Sequence, residues 1–190
     1  MTEILLFHHA QGQTPGFHAF ANDLRKAGHT VHTPDLYDGN IFADIDAGVG
    51  YAKQVGFGTI LERGRASAEG LPDGLVYAGF SLGVMPAQLL AQTRPGAKGA
   101  LFFSGALPPS EFDSPWPHDV PLQIHMMEHD PWGEEDLPAA RELVQSTDDA
   151  ELFLYPGQSH LFADNSLSDY DAEAAGTLEQ RVLAFLDEIA

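Results

Sequence analysis

Hydrophobic positions along the chain fall into short unbroken runs, each followed by a stretch with helical periodicity. "EILLFHH" (3–9) is apolar and then turns polar, as expected of a parallel strand covered on both faces. In "TPGFHAFANDLRKAG" (14–28) Thr14 can cap a helix, Pro15 suits its first turn and Gly28 suits its end. "HTVHTPDL" (29–36) reads as a second strand stopped by Pro34, and 37–57, rich in Gly and Asp, as a long loop or short helices. A helix is expected over about 58–70, a strand at "LVYAGF" (75–80) and a helix over 82–94, where Pro86 falls in the tolerant first turn. Further strands are expected at 97–105, 120–130 and 150–157, with a helix at 137–146 between the last two. The closing helix, 172–190, carries Leu178, Val182, Phe185, Leu186 and Ile189 on one stripe.

Strands alternating with helices predict an α/β fold: a mostly parallel sheet of about six strands with helices on both faces. The length, 190 residues, suits one domain spanning 1–190. Ligands of such sheets sit beyond the carboxyl ends of the strands, so chemically active residues are expected just after strands.

Charge narrows the partners. Nine Lys and Arg stand against 28 Asp and Glu, a formal charge of −19, which repels nucleic acid and anionic membrane surfaces. No apolar run approaches the roughly 18 residues of a membrane span. The start, "MTEILLFHHA", has neither a basic leader nor a small-residue cleavage signal, so the expected location is the cytoplasm. There is no cysteine, which excludes disulfides, thiolate metal sites and a cysteine nucleophile. Pairs such as His8–His9 and His29/His32 lack a third ligand on a clear scaffold, so no catalytic metal is expected.

One stretch carries explicit chemistry. Gly79-Phe80-Ser81-Leu82-Gly83 fits G-x-S-x-G between a strand and a helix. A turn that tight strains the serine backbone and leaves no room for side chains two residues either way, hence the glycines. It also places the Leu82 N–H at a helix N-terminus, facing a developing oxyanion. A serine hydroxyl needs a base, and this architecture orders its groups serine, acid, histidine. Asp130 in "EHDPW" and His160 in "YPGQSHLF" each follow a later strand. Ser81, Asp130 and His160 are therefore the candidate triad, with Asp164, Asp113 and Asp119 as rival acids; His129 is expected to be packing or surface. The loop "HHAQG" (8–12) should supply the second oxyanion donor, Ala10 N–H, with His9 or Gln11 as alternatives.

These residues resemble the dienelactone hydrolase family of α/β-hydrolases almost end to end. The likeness is carried by "FHHAQG", "PDLYDG" (34–39), "GFSLG", "EHDPW" and "YPGQSHLF". It implies a compact hydrolase with minimal or no lid, a nucleophile–acid–histidine triad, and action on lactones or small esters without metal or cofactor. Three positions depart from the family's pattern. Ser81 stands where its namesakes use cysteine. His9 takes the place of a first-strand-loop glutamate. Asp164 occupies the neighbourhood of an arginine that holds a substrate carboxylate. A neutral or cationic ester is thus the expected substrate. His9, Tyr37, Trp132 and Phe162, all in post-strand loops, are candidate pocket residues; Trp116 is another, with core packing as the alternative. A non-catalytic small-molecule-binding module, or a C–C hydrolase using the same triad, are the competing functions. The oligomeric state and the role of 37–57, lid or dimer contact, are left open by the residues.

Overall fold

The computed structural model describes all residues, 1–190. Six strands form one parallel sheet: β1 (Glu3–Phe7), β2 (Thr30–His32), β3 (Leu75–Phe80), β4 (Gly99–Phe103), β5 (Leu122–Met127) and β6 (Ala150–Tyr155). Their spatial order is β2-β1-β3-β4-β5-β6, every pair parallel. The order reverses between β1 and β3, so the loops after these two strands diverge to opposite faces and leave a crevice.

Side chains alternate across the sheet and sort the core into two layers. Leu5, Phe7 and Tyr77 face helices α2 (Ile45–Val55), α3 (Phe57–Ser67), α4 (Val84–Thr93) and α5 (Leu137–Ser146). Ile4, Leu6, Val76 and Ala78 face α1 (Pro15–Lys26) and α6 (Ala172–Glu188), packing against Phe17, Leu24, Leu178 and Val182. The stripe on the last helix thus buries itself as its periodicity requires. No helix is long and apolar enough to cross a membrane.

Several boundaries differ from the sequence expectation, each for a physical reason. The strand expected to reach residue 9 ends at Phe7, opposite Gly79, and His8 and His9 enter a loop. The strand expected over 29–36 is only three residues long, an edge strand whose continuation turns away as Leu36 N–H donates to His8 Nε2 (3.0 Å). The loop expected at 37–57 contains the full helix α2, capped by Asp44 accepting from Ala47 N–H. Glycines disguise that helix, and Gly48 is there because of packing: a Cβ on it would lie 1.9 Å from the Ala10 carbonyl oxygen. The expected helix at 82–94 opens with a single 3-10 turn, Ser81–Gly83, before α4 begins. In α1, Thr14 caps as expected by accepting from Phe17 N–H.

Candidate active site

β3 delivers Ser81 to the carboxyl edge of the sheet at φ 49°, a left-handed conformation that costs a non-glycine residue of order 1–3 kcal/mol. The surroundings impose it. A Cβ on Gly79 would lie 2.1 Å from the Gly83 carbonyl oxygen, and one on Gly83 would lie 2.6 Å and 2.7 Å from the carbonyl oxygens of Phe7 and His8. Both flanking positions therefore admit only glycine, and the helix that follows packs directly on the end of β1.

Ser81 Oγ lies 2.7 Å from His160 Nε2, and His160 Nδ1 lies 2.5 Å from Asp130 Oδ2. Because a carboxylate only accepts, Nδ1 carries the proton and donates to Asp130, leaving the Nε2 lone pair for the Ser81 hydroxyl. Asp130 is buried, and its other oxygen accepts from Trp132 N–H (2.9 Å). The three residues expected after β3, β5 and β6 are thus in contact. The rival acids are not: Asp164 bonds His9, and neither Asp113 nor Asp119 hydrogen-bonds His160. His129 is exposed, one residue before Asp130.

Ser104, which stands in no motif, also belongs here. It follows β4 at φ 58° and its hydroxyl donates to the His160 carbonyl (2.5 Å), fixing the histidine backbone. Its signal was its place, directly after a strand and beside Ser81 in the register Phe80↔Phe103. Asp136 is a second missed residue. It precedes α5, and its Oδ2 accepts from Ala106 N–H at 3.4 Å, next to Gly105, where a Cβ would sit 3.7 Å from the Ser81 carbonyl oxygen. Burial pushes its carboxyl above the usual carboxylate range; the Ala106 N–H and His160 oppose this, while Asp130 adds to it.

The loop after β1 is held from every side. His8 is fully buried; its Nε2 accepts from Leu36 N–H and its Nδ1 donates to the His9 carbonyl (2.7 Å). Gly12 N–H donates to the same carbonyl (3.0 Å). Gln11 exchanges backbone and side-chain hydrogen bonds with Phe42, and its own N–H is taken by His9 Nδ1 (3.2 Å). The N–H of Ala10, like those of His8 and His9, has no partner within the chain.

The proposed pocket residues divide. Trp132 is 45% exposed with its ring 6.3 Å from that of His160, so it flanks the site. The other three are buried, with His9 and Phe162 beside a small cavity that Phe80 and Ser104 also line. Tyr37 is fully buried, donates to the Gly48 carbonyl (3.2 Å) and packs edge-on against His8 and Tyr51: it anchors α2. Phe162 packs with Tyr155 in the core under α1 and α6. His9 is buried, and its Nε2 donates to Asp164 Oδ2 (2.8 Å). Trp116, likewise, is a core residue that donates to the Val120 carbonyl.

No curated protein matches the sequence. Among solved structures the fold recurs widely. The dienelactone hydrolase from Anabaena variabilis superimposes with TM-score 0.68 at 19% identity, over 98% of this chain and 86% of that one. A dienelactone hydrolase-like promiscuous phosphotriesterase from metagenomic libraries gives 0.72 at 18%, over 100% and 87%. Esterase 2 of Thermogutta terrifontis, phosphonylated by cyclosarin, gives 0.73 at 16%, over 100% and 83%. These likenesses establish the α/β-hydrolase fold. The sequence model of the dienelactone hydrolase family matches residues 2–190, and the chain belongs to that family of hydrolases.

Proposed function

We propose that this protein is a serine hydrolase that cleaves small carboxylic esters or lactones through an acyl-Ser81 intermediate. The observation that carries the reading is the unbroken hydrogen-bonded line Ser81 Oγ–His160–Asp130 on a strained turn. Ser81 Oγ attacks the carbonyl carbon as its proton passes to His160 Nε2, and the carbonyl π pair moves onto oxygen. The N–H groups of Ala10 and Leu82 hold that oxyanion. Collapse expels the alkoxide, which takes the proton from His160; in a lactone it stays attached as a hydroxyl. Water, deprotonated by His160, then attacks the acyl group and frees Ser81. Asp130 keeps the imidazole in the right tautomer and stabilises the imidazolium. Every group in this scheme belongs to the chain, the substrate or water.

The phosphonylated esterase among the structural neighbours makes a fluorophosphonate the natural probe. Intact-mass analysis with peptide mapping should show one adduct, on Ser81, and the untreated protein should turn over p-nitrophenyl acetate. A folded protein that neither labels nor turns over would move a non-catalytic binding module ahead of this reading.

The site's charge favours a neutral or cationic ester. Asp130 is bonded to His160 and Asp136 lies close enough to interact with both, and no Lys or Arg is hydrogen-bonded to a triad residue. Asp136→Asn should raise kcat/KM for an anionic hemisuccinate ester relative to the acetate, by about threefold to tenfold for one charge a few ångströms away near a protein surface. An unchanged ratio would remove Asp136 from substrate selection.

A further inference from the structure

The His9–Asp164 pair lies outside the triad, is buried, and joins two loops far apart in sequence. Asp164 is cradled at the start of α1. Its Oδ2 accepts from His9 Nε2 and from the Thr14 hydroxyl, and its Oδ1 accepts from the N–H (2.9 Å) and hydroxyl (2.6 Å) of Ser166. Ser166 Oγ in turn accepts from Gly16 N–H (3.0 Å). Gly16 has no alternative residue, since a Cβ there would lie 1.7 Å from Asp164 Oδ1. Burial would raise the Asp164 pKa, but the bonds from His9, Ser166 and Thr14 prevail and hold it at about 2, so the group is a carboxylate at any working pH.

The tautomer of His9 follows. Gln11 N–H donates to Nδ1, so the ring's proton sits on Nε2 and points at Asp164. The ring is therefore fixed at both nitrogens. Its own carbonyl is fixed too, by His8 Nδ1 and Gly12 N–H. A peptide unit is planar and trans, so the Ala10 N–H must point opposite the His9 carbonyl. The fixed ring and the fixed carbonyl of His9 together set the direction of that N–H.

We propose that His9, held by Asp164, is a positioning residue: the buried pair aims the Ala10 N–H at the oxyanion and locks the oxyanion loop to the loop that carries His160. The inference rests on the acyl-serine reading above and on Ala10 as an oxyanion donor. His9 touches no substrate in this role; it acts through the peptide that follows it. The energy at stake is that of one preorganised donor in a partly desolvated site, which other hydrolases value at about a hundredfold to a thousandfold in rate. A misaimed donor forfeits part of this.

The test compares the full-length protein with His9→Ala and His9→Gln on p-nitrophenyl acetate, with affinity for a trifluoromethyl ketone measured beside it. The ketone adds Ser81 Oγ to its carbonyl carbon, the Ser81 proton going to His160, and so places a full oxyanion in the hole. For His9→Ala, kcat should fall about 10-fold to 100-fold with KM changed less than about threefold, and ketone affinity should fall in parallel. His9→Gln, whose amide can still donate to Asp164, should recover most of the loss. The acid limb of the kcat/KM profile should not move. Loss of kcat with unaltered ketone affinity, or a shifted acid limb, would overturn the proposal, as would a folded His9→Ala of wild-type rate. If His9→Ala does not fold, the isosteric Asp164→Asn is read in the same way. Labelling of the wild type by fluorophosphonate separates the two failures: a wild type that does not label sinks the acyl-serine reading itself, whereas a labelling wild type with an equally active His9→Ala sinks only this inference.

Discussion

Ser81→Ala is expected to lower kcat on p-nitrophenyl acetate by about a millionfold, to or near the background of the assay, while the protein folds normally. The rate expectation follows from mechanism: without Oγ there is no nucleophile, and His160 and Asp130 have nothing to activate. The folding expectation follows from the backbone. Alanine pays the same left-handed strain at φ 49° as serine, and the one side-chain bond lost is partly exposed. Removing the hydroxyl also frees His160 Nε2 for water. Thermal unfolding within a few degrees of wild type, no fluorophosphonate adduct and no turnover is the expected set of results. Retained turnover in the purified variant would show that Ser81 does not carry the reaction. Loss of labelling with intact turnover would point to water activated directly by His160.

How far the sequence led differs from element to element. The strands buried on both faces were visible as apolar runs, because burial on two sides removes polar positions altogether; β3 and α5 coincide with the expected 75–80 and 137–146. The edge strand reads longer than it is, because its departure from the sheet is set by the hydrogen bond from Leu36 N–H to His8, 28 residues earlier in the chain. Helix α2 is hidden by Gly48 and Gly50; the cost of Gly48 to helix propensity is offset by the close approach of the Ala10 loop, while Gly50 faces open space. At the site, the elbow was legible since its constraint is local: two glycines and a serine within five residues. Position after a strand brought Asp130 and His160 into contact with it, but the same rule also nominated His9, Tyr37 and Phe162. All three do follow strands. What distinguishes them from Trp132 is the cover above them, supplied by α2 for Tyr37, by the loop that carries Asp164 for His9, and by α1 and α6 for Phe162. Such cover is a matter of packing between segments distant in sequence, and no local pattern encodes it. Asp164 illustrates the same limit. Four residues from His160, it turns from that histidine to serve another 155 residues away.

Acid should unfold this protein well above the pH at which its carboxylates are fully protonated, because two buried histidines are held neutral. His8 is pulled down to about 4, first by burial, and His125 to about 3, again by burial, with Arg181 adding to it. Both are fully inaccessible, and both use their lone pairs: His8 Nε2 accepts from Leu36 N–H, and His125 Nδ1 accepts from the Tyr155 hydroxyl (2.8 Å). In the unfolded chain each would titrate near 6.5. Above that pH both states are neutral and the histidines do not contribute to the pH dependence. Below it the unfolded state binds protons that the folded state refuses, so stability falls as pH falls, by about 1.4 kcal/mol per pH unit for each histidine. Between pH 6.5 and 4 this amounts to up to about 3 kcal/mol apiece, against the 5–15 kcal/mol that typical domains possess. Asp164 acts later: its folded-state value of about 2 contributes stability that is lost only below about 3.8, where an unfolded aspartate takes up its proton. The Asp164 window therefore lies below that of the histidines, and a urea titration at pH 7.5, 6.5, 5.5 and 4.5 reads the histidines, opposed at its acid end by Asp136, whose burial-raised carboxyl takes up its proton first in the folded state. The expected result is no change between the first two points beyond the onset of titration, then a steep decline. His125→Gln, in which a neutral amide replaces the titrating ring, should be less stable at pH 7.5 but should lose stability with roughly half the wild-type slope. A wild type whose stability is flat down to pH 4.5 would mean that the folded state opens to admit protons at these rings, and the packing of β5 against β6 around His125 would then be looser than the stacked rings of Phe153 and Tyr155 indicate.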